Sequence, residues 1–190
     1  MNAGQPEAAF AESAHLGASK AISTSRWVVM KFGGTSVSSA SSWETIAQLV
    51  KARLESGLRP VIVHSALAGV SDALEGILEH AIKGDVAARL KEVRRQHYEL
   101  ADDLALDAAA LLEERLYELE QLVAGVRLVR EVSVRVRVRV MALGELLATN
   151  LGAAFLAQQG LPVHWMDARD LLTSRSRPRS NPVTGYLSAT

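Results

Sequence analysis

Residues 27–37 read Trp-Val-Val-Met-Lys-Phe-Gly-Gly-Thr-Ser-Val, and the change of character within this stretch decides the fold. Trp27 to Phe32 is apolar apart from Lys31 and is stopped by Gly33-Gly34, which reads as a buried β-strand. Two glycines after a strand leave backbone N–H groups uncovered by side chains, and Lys31 adds a point charge beside them. A bend of this kind suits phosphate oxygens. It is neither a Walker A sequence nor the GxGxxG fingerprint. On physics alone, an ordinary Gly-Gly turn beside a solvent-facing lysine is the plainer reading.

Downstream, a loop is expected from Thr35 to Ala40. Ser41 and Glu44, three apart, form a capping box. Trp43, Ile46, Ala47, Val50 and Leu54 then keep helical spacing until Gly57 ends the helix. Pro60 to Ser65 reads as a second buried strand. Ala66 to Val70 is a loop, and Ser71 can cap a helix running through Ile82. Strand, glycine loop, helix, strand, loop, helix is the α/β grammar of a parallel sheet with covering helices. Upstream, residues 1–25 are rich in Ala, Ser and Gly and are expected to form a flexible extension. The ordered domain is expected over residues 26–190.

The middle of the chain is helical. Leu90, Val93, His97, Leu100 and Leu104 mark one face, and Leu112, Leu116, Leu119, Val123 and Val126 mark another. A turn near Asp107 makes these a helical hairpin, a packing or dimerisation element. Val134 to Val140 alternates with arginine as a strand would, yet Leu143, Leu147, Leu151 and Ala154 continue in helical steps. One helix from Val134 to Gln159 accounts for both. Leu161 to Met166 reads as a third strand, and from Leu172 onward Ser, Arg and Pro dominate. Arg135, Arg137 and Arg139 have acidic neighbours and no interleaved aromatics, which favours a solvated helix face over a nucleic-acid surface. His15, His64, His80, His97 and His164 share no metal-ligand spacing, so no metal site is expected.

The bulk numbers agree with a globular piece of ordinary size. Of 190 residues, 48% are hydrophobic and 22% charged, and 21 basic residues balance 21 acidic ones. No net field therefore draws the chain to nucleic acid or anionic lipid. The absence of cysteine excludes disulfides and cysteine-bound zinc. No uninterrupted apolar run reaches the roughly 20 residues of a membrane span. Glu7 and Glu12 break any secretory signal. A cytoplasmic chain with no membrane partner is expected.

Four segments carry a family resemblance. Lys31 to Val37, KFGGTSV, resembles the string that opens aspartate kinases at the end of their first strand. Val63 to Leu74, with its Ser-Ala, Gly, hydroxyl residue and Leu, is similar to the family's second signature. Gly144-Glu145-Leu146 is similar to a third and Asp167-Ala168-Arg169 to a fourth. The resemblance implies the amino-terminal portion of a three-layer α/β/α amino-acid-kinase fold of the carbamate-kinase-like type. It implies transfer of the ATP γ-phosphate to the side-chain carboxylate of L-aspartate, giving 4-phospho-L-aspartate on the way to lysine, threonine and methionine. Mg2+ would be held mainly by the ATP phosphates, and the full-length protein would be a homo-oligomer.

Carried onto this sequence, Lys31 would sit at the transferring phosphoryl group, with Gly33, Gly34, Thr35 and Ser36 around the phosphates. Ser65, Ser71 and Glu145 would bind aspartate, Glu145 through the α-ammonium. Taken without the resemblance, Ser71 could be an N-cap alone and Glu145 a solvent-facing helix residue. Asp72 stands where many of these kinases have Asn, and a carboxylate there would repel an anionic substrate unless turned away or paired. The resemblance covers about the first half of a kinase domain, so a fragment is expected. The helices and the segment Trp165 to Arg169 look most like the kinase half of bifunctional aspartate kinase/diaminopimelate decarboxylases. A kinase of the same fold acting on glutamate, acetylglutamate or a nucleotide is the nearest alternative. A non-catalytic fragment that keeps the amino-acid pocket is the alternative of another class.

Overall fold

The computed structural model describes residues 25–84 and 86–172. The expected tail, and all of the expected extension before Ser25, lie outside them. In chain order the elements are β1 (Trp27–Phe32), a 3-10 turn (Gly34–Val37), α1 (Ala40–Glu55), β2 (Arg59–His64), α2 (Val70–Ala81), α3 (Ala87–Asp103), α4 (Ala108–Val129), α5 (Val134–Gln158) and α6 (Ala168–Leu171). β1 and β2 pair in parallel, Trp27 opposite Arg59 and Phe32 opposite His64. Both strands therefore end at one edge, and both following loops leave from it.

The strands alternate instead of being buried on both faces. Met30, Phe32, Ile62 and His64 turn toward the helices and are half-buried, whereas Trp27, Val29, Val61 and Val63 are exposed. This corrects the expectation of two buried strands. An apolar run shows that a strand tolerates cover on both faces, not that the cover lies within the same stretch of chain. The described residues supply a two-stranded parallel sheet with helices packed on one of its faces.

The third expected strand is also corrected. Leu161 to Met166 makes no ladder with β2. Gly160, at φ +76°, closes α5, with Gly160 N–H donating to Ala157 O and Leu161 N–H to Leu156 O. The Trp165 indole then donates to Thr149 Oγ1 of α5 at 3.1 Å. That anchor holds the segment on the helix side, off the free edge of β2. A cavity of about 580 Å3 lies along the edge, lined by Ile62, His64, Trp43, Gly152 and Trp165 among others.

Two caps shift as well. α1 is capped by Ser39, whose Oγ accepts from Ser42 N–H at 3.3 Å, so Ser41 lies inside the first turn. A chain already turning after Val37 reaches helical geometry before the expected box. α2 starts after Gly69, at φ +79°, with no side-chain cap, and Ser71 is an exposed first-turn residue. A left-handed glycine sets the entry angle there, and Asp72 in the same turn faces the positive end of the helix dipole. Gly57, at φ +74°, ends α1 as expected.

The hairpin forms as expected from its two seams. Asp107 caps α4, accepting from Ala110 N–H at 3.1 Å, and Leu112, Leu116, Leu119, Val123 and Val126 are buried. α5 is the single helix expected. Two of its three arginines are engaged by neighbouring helices: Arg137 pairs with Glu75 of α2, and Arg139 with Glu118 of α4 at 2.7 Å, while Arg135 is exposed. α5 is also long and apolar enough to cross a membrane by length and composition, whereas no such span was expected from the sequence. Val140, Leu143, Leu147, Leu151 and Phe155 are all buried in the core.

Gly144, Ala148 and Gly152 are spaced to share one face of α5, and Gly152 brings that face against α1 and β2. A Cβ on Gly152 would stand 2.7 Å from Trp43 Cζ2 and 3.0 Å from His64 Nε2. Trp43 is buried, donates from Nε1 to Val37 O at 2.9 Å, and meets His64 edge-on at 5.3 Å. Gly152→Ala should destabilise the chain by about 1–3 kcal/mol through overpacking, read as a lowered denaturant midpoint.

His97 is fully buried in α3. Its Nδ1–H donates to Val93 O at 2.7 Å, and Nε2 has no partner among the described residues. Burial lowers its pKa below 6.5. The unfolded chain thus binds the proton more readily than the folded one, and stability falls as pH drops below about 6.5. Denaturation between pH 7.5 and 5.5 should show this loss, and a smaller loss in His97→Leu.

Candidate functional site

The parallel register places two loops side by side at the C-terminal edge of the sheet. Ser65 N–H donates to Phe32 O at 3.2 Å, extending the ladder one step into the loops. Gly34 then runs against the second loop: a Cβ there would stand 2.8 Å from Ala66 O and 3.3 Å from Ala68 N. The two glycines divide the work. Gly34 allows the loops to touch, whereas the space beside Gly33 is open to 4 Å, leaving backbone accessible at the bend. Thr35 and Ser36 are exposed on the 3-10 turn, where Ser36 N–H donates to Gly33 O at 3.0 Å.

Gly144 brings the third segment in. A Cβ on it would stand 2.9 Å from Leu74 Cδ1, 3.1 Å from Val70 Cγ1 and 3.3 Å from Ala66 Cβ. The turn of α5 that carries Glu145 is thus seated on the second loop and the start of α2, the turn that carries Ser71. Glu145 has no ion-pair partner among the described residues, and desolvation raises its pKa above the usual carboxylate value. The residue as a whole is open to solvent, so this is crowding at one side of the carboxyl, not enclosure. An incoming cation is the group such a carboxylate favours.

Ser65 is half-buried, and its carbonyl accepts from the His64 ring at 3.0 Å. Burial lowers the His64 pKa, partly opposed by its hydrogen bond to the Ser65 carbonyl. Lys31 is exposed on the open sheet face with Trp27 and Val29, while α5 lies against the opposite face. The structure therefore brings together the surroundings of Gly34, Ser65, Ser71 and Glu145. Lys31 reaches the same edge from the other side and shares no direct contact with them. The cavity along β2 includes none of the expected site residues. Asp167 and Arg169 close on each other, with Arg169 Nη2 donating to Asp167 Oδ2 at 2.6 Å. This pair caps α6.

Sequence reasoning missed Ser38. Its Oγ donates to Gly34 O at 2.6 Å and accepts from Ala68 N–H at 2.8 Å. The sequence reading leaves Ser38 inside the loop from Thr35 to Ala40, and only the contact with the second loop reveals its link. Gly34→Ala, which would push the loops apart, should cost about 1–3 kcal/mol and shift the Ala66 and Ala68 amide resonances. Unchanged resonances would contradict the close approach.

Comparison with known proteins identifies the family. Residues 26–189 match the amino acid kinase family. Aspartokinase 1, chloroplastic, of Arabidopsis thaliana is 33% identical over 148 residues, covering 75% of this chain and 26% of that protein. The aspartokinase of Chlamydia trachomatis is 30% identical over 151 residues, covering 79% of this chain and 32% of its own length. Among solved structures, E. coli aspartokinase III in complex with aspartate and ADP (R-state) superimposes with a TM-score of 0.65 at 25% identity. That match covers 74% of this chain and 31% of the other. The chain thus spans about a quarter to a third of the length of these relatives.

Proposed function

The chain belongs to the amino acid kinase family, and from this we propose that it carries the phosphate loop and aspartate loop of an aspartate kinase. The observation that carries the reading is the junction of three segments at the sheet edge: the Gly33-Gly34 bend, the Ser65–Ser71 loop and the Glu145 turn of α5. The relative solved with aspartate and ADP supports the pairing of an amino acid with a nucleotide.

The chemical task is to bring two anions together. The aspartate side chain ordinarily titrates near pH ~3.9, so it is ionised at neutral pH and needs no general base. The barrier lies in the charge that gathers as its carboxylate oxygen attacks the γ-phosphorus and the bond to the β-γ bridging oxygen breaks. Backbone N–H groups at Gly33 and Gly34 would cradle phosphate oxygens, with Thr35 and Ser36 adding donors. Lys31 would supply positive charge from the open face of β1. Ser65 and Ser71 would hold the amino acid, and Glu145 its α-ammonium. Asp72 is exposed in the first turn of α2, where the dipole stabilises it. Among the described residues no cluster of three or more His, Asp or Glu stands where it could hold a metal. On the family reading, Mg2+ would arrive on the nucleotide's phosphates, where it would neutralise charge.

The pathway assignment to lysine synthesis through diaminopimelate, the cytoplasmic setting and a homo-oligomeric full-length enzyme belong to this same reading. Because the chain spans only part of its relatives, a second reading is a segment that binds aspartate without turnover. Separate titrations with aspartate and with Mg·ATP divide the two, since the second predicts aspartate binding alone. In the protein that turns over, Lys31→Ala should lower ADP release by at least about 100-fold, as expected for removing an electrostatic contact to a transferring phosphoryl group. Its thermal midpoint should not move. Near-normal turnover would overturn the assignment.

A further inference from the structure

Phosphoryl transfer requires the two substrate-bearing loops to keep a fixed separation, and one side chain spans them at their tips. The Ser38 hydroxyl is used in both directions, donating to Gly34 O and accepting from Ala68 N–H, a residue 30 positions away. The base of the same two loops is tied by Ser65 N–H to Phe32 O. The two loops are thus linked at both base and tip.

We propose that Ser38 is a positioning residue for the phosphoryl transfer described above, setting the distance between the phosphate bend and the amino-acid loop. The proposal rests on that kinase reading. Three observations separate it from a merely structural role. α1 is capped by Ser39, not Ser38. The local core is made by Val37 and Trp43, with the indole bonded to Val37 O. Ser38 has φ −99° and ψ 6°, a conformation without left-handed strain. Removing its hydroxyl therefore leaves cap, core and backbone in place and releases only the link between the loops. Gly34 has no side chain to replace that link, and Ala68 has only a methyl group. The effect would be felt in substrate placement, where displacements of about 1 Å cost up to roughly 100-fold.

The test compares Ser38→Ala and Ser38→Thr with the wild-type chain, using aspartate titration, thermal unfolding and hydrogen exchange at the Ala68 amide. Ser38→Ala should weaken aspartate binding about tenfold, a difference of about 1.4 kcal/mol, and speed Ala68 exchange by a similar factor. Its thermal midpoint should stay within about 2 °C. Ser38→Thr, which keeps the hydroxyl, should restore both readings to within about threefold. Wild-type affinity in Ser38→Ala, unchanged Ala68 exchange, or a loss that threonine does not restore would each overturn the proposal while leaving the kinase reading intact. A wild-type chain that binds neither aspartate nor Mg·ATP would remove the kinase reading, and this proposal with it.

Discussion

Two peptide segments can lie against each other only where neither carries a side chain between them. At Gly34 the backbone passes so near the Ala66 carbonyl that a Cβ would sit 2.8 Å from it, a separation real Cβ atoms do not adopt. The same exclusion operates on α5, where Gly144 seats against Ala66, Val70 and Leu74, and Gly152 against Trp43 and His64. These three glycines set how closely the first loop, the second loop and the long helix approach. Parallel pairing of β1 with β2 ensures that the loops leave at one edge, where ligands of open α/β sheets generally bind.

The electrostatics of that edge follow from its construction. Glu145 is carried to it by a helix whose inner face is spent on the core, so its carboxyl meets protein on one side and finds no cation among the described residues. Lys31 arrives from the other sheet face because side chains alternate along β1. On the proposed reading this division is useful. A cation on one side serves the phosphates, an anion on the other serves an ammonium group, and the glycine bend between them offers N–H groups without charge. The exposed Trp27, Val29, Val61 and Val63 mark a face that the described residues leave without cover.

Much of this arrangement was legible in the sequence, and the misses share a cause. Helices with long, regular seams were read correctly: Leu112 to Val126 shows steps of four and three, and α5 survived a Val-Arg alternation because Leu143, Leu147 and Leu151 continued the helical period. Gly57 announced its turn since only a left-handed residue could close α1 there. The errors arose where tertiary partners decide. Leu161 to Met166 has strand composition, but Trp165 bonds to Thr149 and holds the segment from the ladder. Ser41 and Ser71 have capping chemistry, yet the turn after Val37 and the left-handed Gly69 settle those starts instead. Within the candidate site, KFGGTSV was visible as a bend, but the partition between an open Gly33 and a closed Gly34 was not. Ser38 was invisible because its partners lie four and 30 residues away.

The central claim is that the bend after β1, the loop after β2 and the Glu145 turn of α5 form one binding site for an amino acid beside a phosphate. Backbone amide resonances followed during addition of L-aspartate test it most directly. The account predicts that Gly33 to Ser36, Ser65 to Ser71 and Glu145 shift together along a single saturation curve, while the α3–α4 hairpin stays still. Shifts confined to the cavity along β2, or three segments responding with different midpoints, would contradict it.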